Sequence, residues 1–338
     1  MLIRNKREFL ANRLRDAGVL RLLERAARRP VLLVLTYHRI GEPATSPYYE
    51  PVYSATPEVL RAQLRHLRDR FHTPALEAID PEGNLREPTA LVTFDDGYRD
   101  NVDAALPVLA DVGVPATFFL PAALIDRPRL PWWDHASYVI KRTSQDRLVL
   151  DQPGPLTLDL ARDGRAAALQ QVIRLYLDGL VADEDAFRAH LQERADVSVD
   201  EQALGRALFL DWDDARRLVS SGMSVGSHGH SHRRLSSLSE DEQGAELVES
   251  KRVLQEQTGR DVRALAYPFG WPGTFNDATE RLAREARYRL AFSAIEGVNA
   301  PQTWHPFALR RLNIGASDSP TLVRARAALH VTFGGSCL

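Results

Sequence analysis

The fold is decided by the stretch LVTFDDGY, residues 91–98. Its first four residues are apolar or β-branched, which is typical of a buried strand, and Gly97 permits a turn directly after it. Asp95 and Asp96 stand at that turn, and functional sites of parallel α/β proteins form at the carboxyl ends of strands. One carboxylate can then bind a cation while the other moves a proton. The alternative is a capping aspartate followed by an ordinary turn.

The same alternation of strand and helix continues on both sides of this stretch. Helical patterns cover residues 56–71 and 239–258, and each has a start or stop signal. Such alternation implies right-handed crossovers and a parallel sheet, and this many repeats favour an α/β fold of the deformed (β/α) barrel type. The predicted buried strands are residues 31–37, 90–94, 116–120, 224–227, 264–267 and 290–293.

The chain divides into segments of different pattern. Residues 31–125 and 205–315 carry the strand–helix alternation and are predicted to form the barrel. Residues 126–204 interrupt this strand–helix alternation with a stretch that contains Pro and Gly and with helical segments. This pattern predicts a mainly helical insertion. Residues 316–338 are predicted to form a C-terminal helix and tail.

Residues 1–30 form a basic amphipathic segment, predicted as one or two short helices interrupted near Gly18. Apolar residues recur there at helical spacing, and Arg or Lys fill much of the other face. Two interpretations stay open. The segment can pack over one end of the barrel with a solvated basic face, or it can make a peripheral contact with an anionic membrane surface.

The composition is that of an ordinary globular protein: 44% of the 338 residues are hydrophobic and 26% are charged. The net charge of -2 gives no indication of a nucleic-acid partner. The first clean apolar run, residues 31–35, is too short for a secretory leader or a membrane span. The single cysteine, Cys337, excludes an internal disulfide. We therefore expect a cytoplasmic location, at the inner face of the membrane if the first helices bind there.

A second cluster of polar residues, SHGHSH at residues 227–232, also follows a short strand. His228 and His232 stand at positions i and i+4, on one side of a helical turn and close enough to share one metal ion. A lone histidine is more often structural, but three within five residues seldom have a packing explanation. Two histidines and one aspartate leave open positions for water and substrate. His230 then points elsewhere.

Three weaker signals complete the pattern. The turn AYPFG, residues 266–270, can present backbone N–H groups to a developing oxyanion. His38 follows the first barrel strand, where a lone histidine is as often structural as functional. Trp133 and Asp134, in the insertion, suggest an indole that stacks on a sugar ring, and the equal alternative is aromatic packing against the barrel.

These pieces, in this order, resemble the polysaccharide deacetylase family, also called the NodB-homology or carbohydrate esterase family 4 group. TFDDG at 93–97 matches its first motif, and HGHSH at 228–232 matches its H-(S/T)-x-x-H motif with Gly229 in the Ser/Thr place. YPFG at 267–270 is similar to the third. The resemblance implies a NodB-type barrel that holds one divalent ion, zinc or else cobalt, nickel or manganese.

The resemblance also implies roles for individual residues. Many family members have an arginine where Ala266 stands, which steadies the catalytic base, and a late Leu-x-His that supplies the acid; this chain has neither. It is more similar to the branch acting on exported poly-N-acetylglucosamine, whose early Tyr-His pair supplies the acid. The implied roles are Asp95 as general base, His38 as general acid, Asp96, His228 and His232 as metal ligands, and Arg311 as the replacement arginine. The motifs described above add four residues predicted at the oxyanion or the substrate: Phe269, Tyr267, Trp133 and Asp134.

The predicted function is metal-dependent hydrolytic removal of an N-acetyl group from an amino sugar. The expected substrate is a glycan or a lipid-linked or nucleotide-linked precursor. Three alternatives stay open: a deformylase of a lipid-linked formamido sugar, an amidohydrolase for a non-sugar amide, and a non-catalytic carbohydrate-binding barrel.

Overall fold

Seven parallel strands close into a barrel in the computed structural model, which describes residues 2–334 and their side chains from residue 6 onward. Cys337 and the end of the predicted tail lie outside the described residues. The strands are β1 (Leu32–Tyr37), β2 (Arg39–Ile40), β3 (Tyr53–Ala55), β4 (Thr89–Phe94), β5 (Ala116–Leu120), β6 (Arg147–Leu150), β7 (Leu156–Asp159), β8 (Ser224–Ser227), β9 (Ala264–Ala266), β10 (Leu290–Glu296) and β11 (Leu309–Asn313).

The barrel has the strand order β1-β11-β10-β9-β8-β5-β4, and β4 pairs with β1 to close it. All six predicted barrel strands are confirmed, and β11 is a seventh that was not predicted as a strand. Every residue of β1 and β4 is buried, because one face of each strand lines the barrel interior and the other lies under helices. The predicted α/β barrel is therefore confirmed.

Helices connect and cover the strands. Those that the sequence placed at 56–71 and 239–258 are confirmed to within one residue at each end. The helices are α1 (Leu2–Asp16), α2 (Val19–Ala26), α3 (Pro57–Arg70), α4 (Leu106–Val112), α5 (Ala122–Asp126), α6 (Trp132–Arg142), α7 (Leu160–Asp163), α8 (Arg165–Leu177), α9 (Glu184–Ala195), α10 (Glu201–Leu208), α11 (Trp212–Ser220), α12 (Glu240–Thr258), α13 (Asp277–Glu285) and α14 (Pro320–Phe333).

The helix α12 begins and ends as its sequence signals predict. Ser239 caps it by accepting a hydrogen bond from the Glu242 amide at 3.3 Å, and the Glu242 side chain accepts in return from the Ser239 amide at 2.9 Å. Gly259 ends the helix in the left-handed conformation. This helix matters for the site, because its buried face lies behind the histidine loop.

Two terminal helices pack on α14. Gly18, with φ of 73°, separates α1 from α2. Their buried residues Ala11 and Leu20 form a small apolar cluster with Leu322, Ala325 and Ala328 of α14. None of the described helices is both long enough and apolar enough to cross a membrane.

A second compact unit consists of Glu42–Pro51 and Pro128–Leu208. It contains four longer helices, α6, α8, α9 and α10, and an antiparallel hairpin of β6 and β7. Its core is its own apolar cluster, which includes Val139, Val172 and Leu191. The remaining residues, up to Gly41, Val52–Arg127 and from Phe209 onward, form the barrel unit.

Candidate active site

The two aspartates stand in a tight turn at the carboxyl end of β4. Asp96 and Gly97 both have positive φ, 73° and 72°. A Cβ at Gly97 would lie 3.2 Å from a methyl group of Leu120, so the turn favours glycine on both counts. Asp95 and Asp96 are both buried. Positive φ at a non-glycine residue costs free energy, and surrounding contacts therefore hold this turn in place.

Three potential ligand atoms converge at this turn. The Asp96 Oδ1 lies 3.3 Å from the His228 Nε2 and 3.1 Å from the His232 Nε2. The ligand atoms of the three residues all lie within 4.8 Å of one another. They are also buried or nearly so, which removes water as an easy competitor. This set of two imidazoles and one carboxylate can bind a divalent ion and leave coordination positions open.

The histidine pair converges through a loop, whereas the sequence interpretation assumed a helical turn. Residues 228–232 form no helix, and His232 has a φ of 59°. Glu246, a buried residue of α12, holds this loop: it accepts hydrogen bonds from the amides of His230 (2.8 Å) and Ser231 (2.9 Å) and from the Ser231 hydroxyl. Sequence reasoning missed Glu246, because an acidic residue in a charged helix looks solvent-exposed.

The tautomer of His228 is fixed by its surroundings. Its Nδ1 donates to the carbonyl oxygen of Ala266 at 2.8 Å, since a carbonyl can only accept. In the neutral ring the Nε2 therefore carries the lone pair, directed at Asp96, as in metal-binding histidines. The buried Asp96 Oδ1 accepts no hydrogen bond of good geometry from the described residues. A buried oxygen of this kind, facing two imidazole nitrogens, fits a bound cation.

Arg311 holds the second aspartate. Its two terminal nitrogens donate to the two carboxylate oxygens of Asp95 at 2.9 and 2.8 Å, and its Nε donates to the Ser293 carbonyl at 2.7 Å. Such a two-point pair fixes both the position and the orientation of a carboxylate. Arg311 is 1% exposed and stands on β11, next to β1 in the barrel. It thus occupies the place near Asp95 that the resemblance assigns to an arginine.

Charges around the site keep both carboxyl groups ionised. Burial raises the pKa of Asp95, but the charges of Arg311 and His228 outweigh it and leave the pKa below its usual value. Burial likewise raises the pKa of Asp96, but the adjacent imidazoles of His228 and His232 outweigh it and leave the pKa well below that value. Burial lowers the pKa of His228, and the two carboxylates raise it above normal. At neutral pH one carboxylate is thus available as a base and the other as a ligand.

His38 lies at the same end of the barrel. Its charge contributes to the lowered pKa of both Asp95 and Asp96, which places it near the two carboxylates. Its backbone is fixed on both sides, because its amide donates to the Ser54 hydroxyl (2.9 Å) and its carbonyl accepts from the Asn101 side chain (2.7 Å).

Two other histidines have different neighbours. His305 is 52% exposed and lies 3.5 Å from a Glu280 oxygen. His330 is fully buried and lies 3.4 Å from a Glu296 oxygen. Both are thus engaged with a glutamate rather than with the two aspartates.

The turn after β9 contributes an aromatic residue. Phe269 and Gly270 have φ values of 64° and 67°, and a Cβ at Gly270 would lie 2.6 Å from the Ala294 amide nitrogen. The Phe269 ring packs edge-on against His232 with centroids 5.1 Å apart. Trp271 follows, 49% exposed, with its ring 6.1 Å from that of Phe269. Sequence reasoning missed Trp271, although its position directly after the YPFG motif is a usable signal.

The side chain of Tyr267 does not reach the site, which corrects the sequence prediction. The residue is fully buried. Its hydroxyl donates to the Phe307 carbonyl at 2.8 Å, and its ring stacks on Phe275 at 4.3 Å. The physical reason is that Tyr267 directly follows β9 and its ring belongs to the apolar core, where its hydroxyl bonds to a backbone carbonyl.

Trp133 and Asp134 have packing roles within the second unit. Asp134 is fully buried and accepts a hydrogen bond from the Tyr49 amide at 2.8 Å, so its carboxylate is not exposed to a substrate. Trp133 is partly buried, meets Trp132 edge-to-face at 5.2 Å and packs against the apolar cluster of that unit. The contacts described for Trp133 are aromatic packing within its own unit, whereas the sequence interpretation placed such packing against the barrel.

Comparison with known proteins identifies the family. The sequence model of the family described as polysaccharide deacetylase matches residues 82–291, more than half of the chain. The chain belongs to the polysaccharide deacetylase family. This family comprises hydrolases that act on carbon–nitrogen bonds. The matched segment contains the aspartate turn, the histidine loop and the turn that carries Phe269.

Individual relatives agree with this family assignment. YxkH of Bacillus subtilis, a protein named for the same family, is 22% identical over 233 residues, which span 69% of this chain and 54% of YxkH. The Streptococcus pyogenes deacetylase PplD, solved with acetate, has a TM-score of 0.58 at 20% identity, over 87% of this chain and 97% of PplD. IcaB from Ammonifex degensii has a TM-score of 0.56 at 22% identity, over 88% and 97%. The two structural likenesses show a shared fold.

Proposed function

We propose that this protein is a metal-dependent deacetylase that hydrolyses the N-acetyl group of an amino sugar in a polysaccharide. One observation carries the proposal: an ionised, buried Asp95, fixed by Arg311, lies beside the three-residue ligand set. The Asp95 Oδ2 is 4.0 Å from the His228 Nε2. A base next to a cation site is the arrangement that hydrolysis of an unreactive amide needs.

The ligand set proposed for the ion is Asp96, His228 and His232, and zinc is the ion that best suits two imidazoles and a carboxylate. Cobalt, nickel and manganese are the alternatives. When bound, the ion supplies a polarised amide carbonyl and a water molecule of lowered pKa.

Asp95 is the proposed general base. Each of its oxygens accepts one hydrogen bond from Arg311 and keeps a second lone pair. One of those lone pairs takes a proton from the attacking water molecule. At the same time the oxygen of that water bonds to the carbonyl carbon of the amide. Arg311 keeps the carboxylate in position and its pKa low, so the base is ready at neutral pH.

His38 is the proposed general acid. The carbon–nitrogen bond breaks only when the departing nitrogen receives a proton, because an amide anion leaves poorly. His38 gives that proton, and the amide N–H of Phe269 is the proposed donor to the oxyanion. The products are acetate and a free amino sugar, which balances the addition of one water molecule.

An exposed aromatic ring supports a sugar as the substrate. Trp271 presents a half-exposed indole beside Phe269, which itself packs on His232. Apolar faces of pyranose rings bind to such surfaces. The bound acetate of PplD, a protein of the same fold, is also the expected product here.

The direct test is acetate release from oligomers of N-acetylglucosamine by the metal-loaded protein. We expect turnover that is lost on metal removal and restored by zinc. Asp95→Asn should abolish turnover and still bind the metal, because it removes the base and not a ligand. Arg310→Gln, a change at an exposed neighbour of Arg311, is the control and should leave the rate unchanged.

Other outcomes of this assay decide between the alternatives. Release of formate from a formamido sugar, without acetate release, would replace the proposal by deformylation. Oligosaccharide binding without any acid release would favour a non-catalytic carbohydrate-binding barrel. Turnover of small amides but not of sugars would identify a non-sugar amidohydrolase.

A further inference from the structure

The terminal helices α1 and α2 carry exposed apolar side chains that their packing on α14 does not explain. Their inner face is buried against α14 through Ala11 and Leu20. Ten large apolar side chains are exposed among the residues that the structure describes. Half of them belong to α1, α2 or the end of α14. These five are Phe9, Leu10, Val19, Leu22 and Phe333.

Helical spacing groups the exposed residues of each helix. On α1, Lys6, Leu10 and Arg13 are all exposed, and they stand three or four positions apart along one side. On α2 the exposed Leu22 lies one turn from both Val19 and Ala26. Apolar and basic side chains thus share the outer faces of both helices. We call these exposed residues of 6–26 the outer helical face.

The charge of this region is opposite to that of the rest of the chain. Residues 1–30 contain nine Arg or Lys and three Asp or Glu, a net charge of +6. The whole chain carries -2, so the other residues together carry -8. Residues 1–30 are therefore strongly basic, whereas the remaining residues together are acidic.

The few acidic residues of this segment are already occupied. Glu24 is buried and accepts a hydrogen bond from Arg324 at 2.8 Å, and Glu8 accepts one from the Ser319 hydroxyl. Asp16 pairs with its neighbour Arg15. Among the described residues, Arg21 and Arg25 form no ion pair with an acidic side chain, and both are exposed.

We propose that the outer helical face binds the surface of an anionic phospholipid bilayer. Leu22 and Phe9, 62% and 61% exposed, would enter the boundary between headgroups and acyl chains. Arg21 and Arg25 would meet the lipid phosphates. A nucleic acid would use the arginines but would leave the apolar side chains in water, and a second copy of the chain would carry the same positive charge. An anionic lipid surface is the partner that matches both the exposed arginines and the exposed apolar side chains.

The test is sedimentation of the full-length protein with vesicles. We expect binding to phosphatidylcholine vesicles that contain phosphatidylglycerol, and much weaker binding to pure phosphatidylcholine. Added salt should weaken it by screening the charges. Arg21→Gln/Arg25→Gln should reduce the affinity about fivefold per arginine, and Phe9→Ser/Leu22→Ser should reduce it at unchanged charge.

Matched controls separate surface binding from misfolding. Arg260→Gln/Arg289→Gln removes two exposed arginines, and Leu177→Ser/Leu180→Ser two exposed leucines, outside the outer helical face; both double variants should bind vesicles like the parent protein. All variants should keep the parent's melting temperature and deacetylase rate.

Several results would overturn the proposal. It fails if anionic vesicles are not bound, if neutral vesicles are bound equally well, or if the outer-face variants bind as the parent does. Concentration-dependent dimerisation that is lost in Phe9→Ser/Leu22→Ser, without vesicle binding, would assign this face to a second copy. Binding of duplex DNA in place of vesicles would assign it to nucleic acid.

Discussion

At the scale of single residues, backbone strain is concentrated at the proposed active site. Five non-glycine residues of the described chain have positive φ, and three of them are Asp96, His232 and Phe269. Such conformations cost about 1–3 kcal/mol each and persist only where neighbouring contacts hold them. Here Glu246, Arg311 and the close packing at Gly270 supply those contacts, so the polar groups are positioned before any ligand binds.

Arg311→Gln is expected to lower kcat by about a hundredfold, because Asp95 loses both bonds that orient it. It should also destabilise the protein by about 3–5 kcal/mol, since it leaves a buried charge without its partner. Steady-state acetate release and denaturant unfolding measure the two effects. If this variant folds poorly, Arg311→Lys keeps the charge and should still lose rate through the missing second bond. A parent-like kcat in Arg311→Lys and Arg311→Gln would contradict the assigned role.

Glu246→Ala is expected to weaken metal affinity about 10–100-fold, although Glu246 is not a ligand. The change removes the acceptor of two backbone amides, and the loop that carries His232 then loses its fixed conformation. Competition with a chelating dye measures the affinity. Glu249→Gln, at a half-buried position of the same helix that pairs with Arg252, is the control. Unchanged metal affinity in Glu246→Ala would mean that the histidine loop keeps its conformation without Glu246.

At the scale of elements, the six predicted barrel strands contain no charged residue, and the barrel strand that was missed contains two arginines. The strand β11 has the sequence LRRLN, in which Arg311 is buried and Arg310 exposed. Two consecutive arginines hide the strand pattern, and only a partner 216 positions away, Asp95, explains how one of them can be buried. Local patterns cannot show such a pairing.

Other differences between sequence and structure have the same origin. The two motifs of the candidate metal site could be found because each one follows its own strand. Glu246 could not, since nothing near it in the sequence indicates that α12 packs behind the histidine loop. Tyr267 and Asp134 looked available for substrate, but the Tyr267 hydroxyl bonds to the Phe307 carbonyl and the Asp134 carboxylate to the Tyr49 amide. The second compact unit also includes Glu42–Pro51, which no feature of the sequence connects with the insertion.

The contact of α14 with β10 should give the stability a dependence on acid pH. Burial raises the pKa of Glu296, but the hydrogen bond with His330 and the charge of Arg326, 2.9 Å away, lower it from 4.5 to about 2. Because the pKa is lower in the folded state, this stabilisation is complete above pH 4.5 and is lost as the pH falls towards 2.

The Glu296→Gln variant isolates this contribution. It should be less stable than the parent at pH 7 by at most about 3 kcal/mol, and the difference should shrink below pH 4.5. Urea unfolding at several pH values measures it. If the difference in unfolding free energy between the variant and the parent stays constant down to the lowest accessible pH, the ion pair of Glu296 with Arg326 does not contribute to it.

At the scale of the whole molecule, the barrel assembles the site by bringing together the carboxyl ends of distant strands. His38 follows β1, Asp95 and Asp96 follow β4, and His228 follows β8. Phe269 comes from the turn after β9, and Arg311 reaches in from β11. Parallel strands point these ends to one rim, so residues spread over most of the chain meet around one candidate cation site. The terminal helices and the second unit are additions to this frame.

The proposed active site is tested most directly by the position of the metal in a crystal grown with zinc, located by anomalous diffraction. We expect one strong peak coordinated by Asp96 and by the Nε2 atoms of His228 and His232, with the Asp95 carboxylate beside it and not bound to it. A peak coordinated by other residues, or the same three side chains turned away from one another with no ion between them, would contradict it.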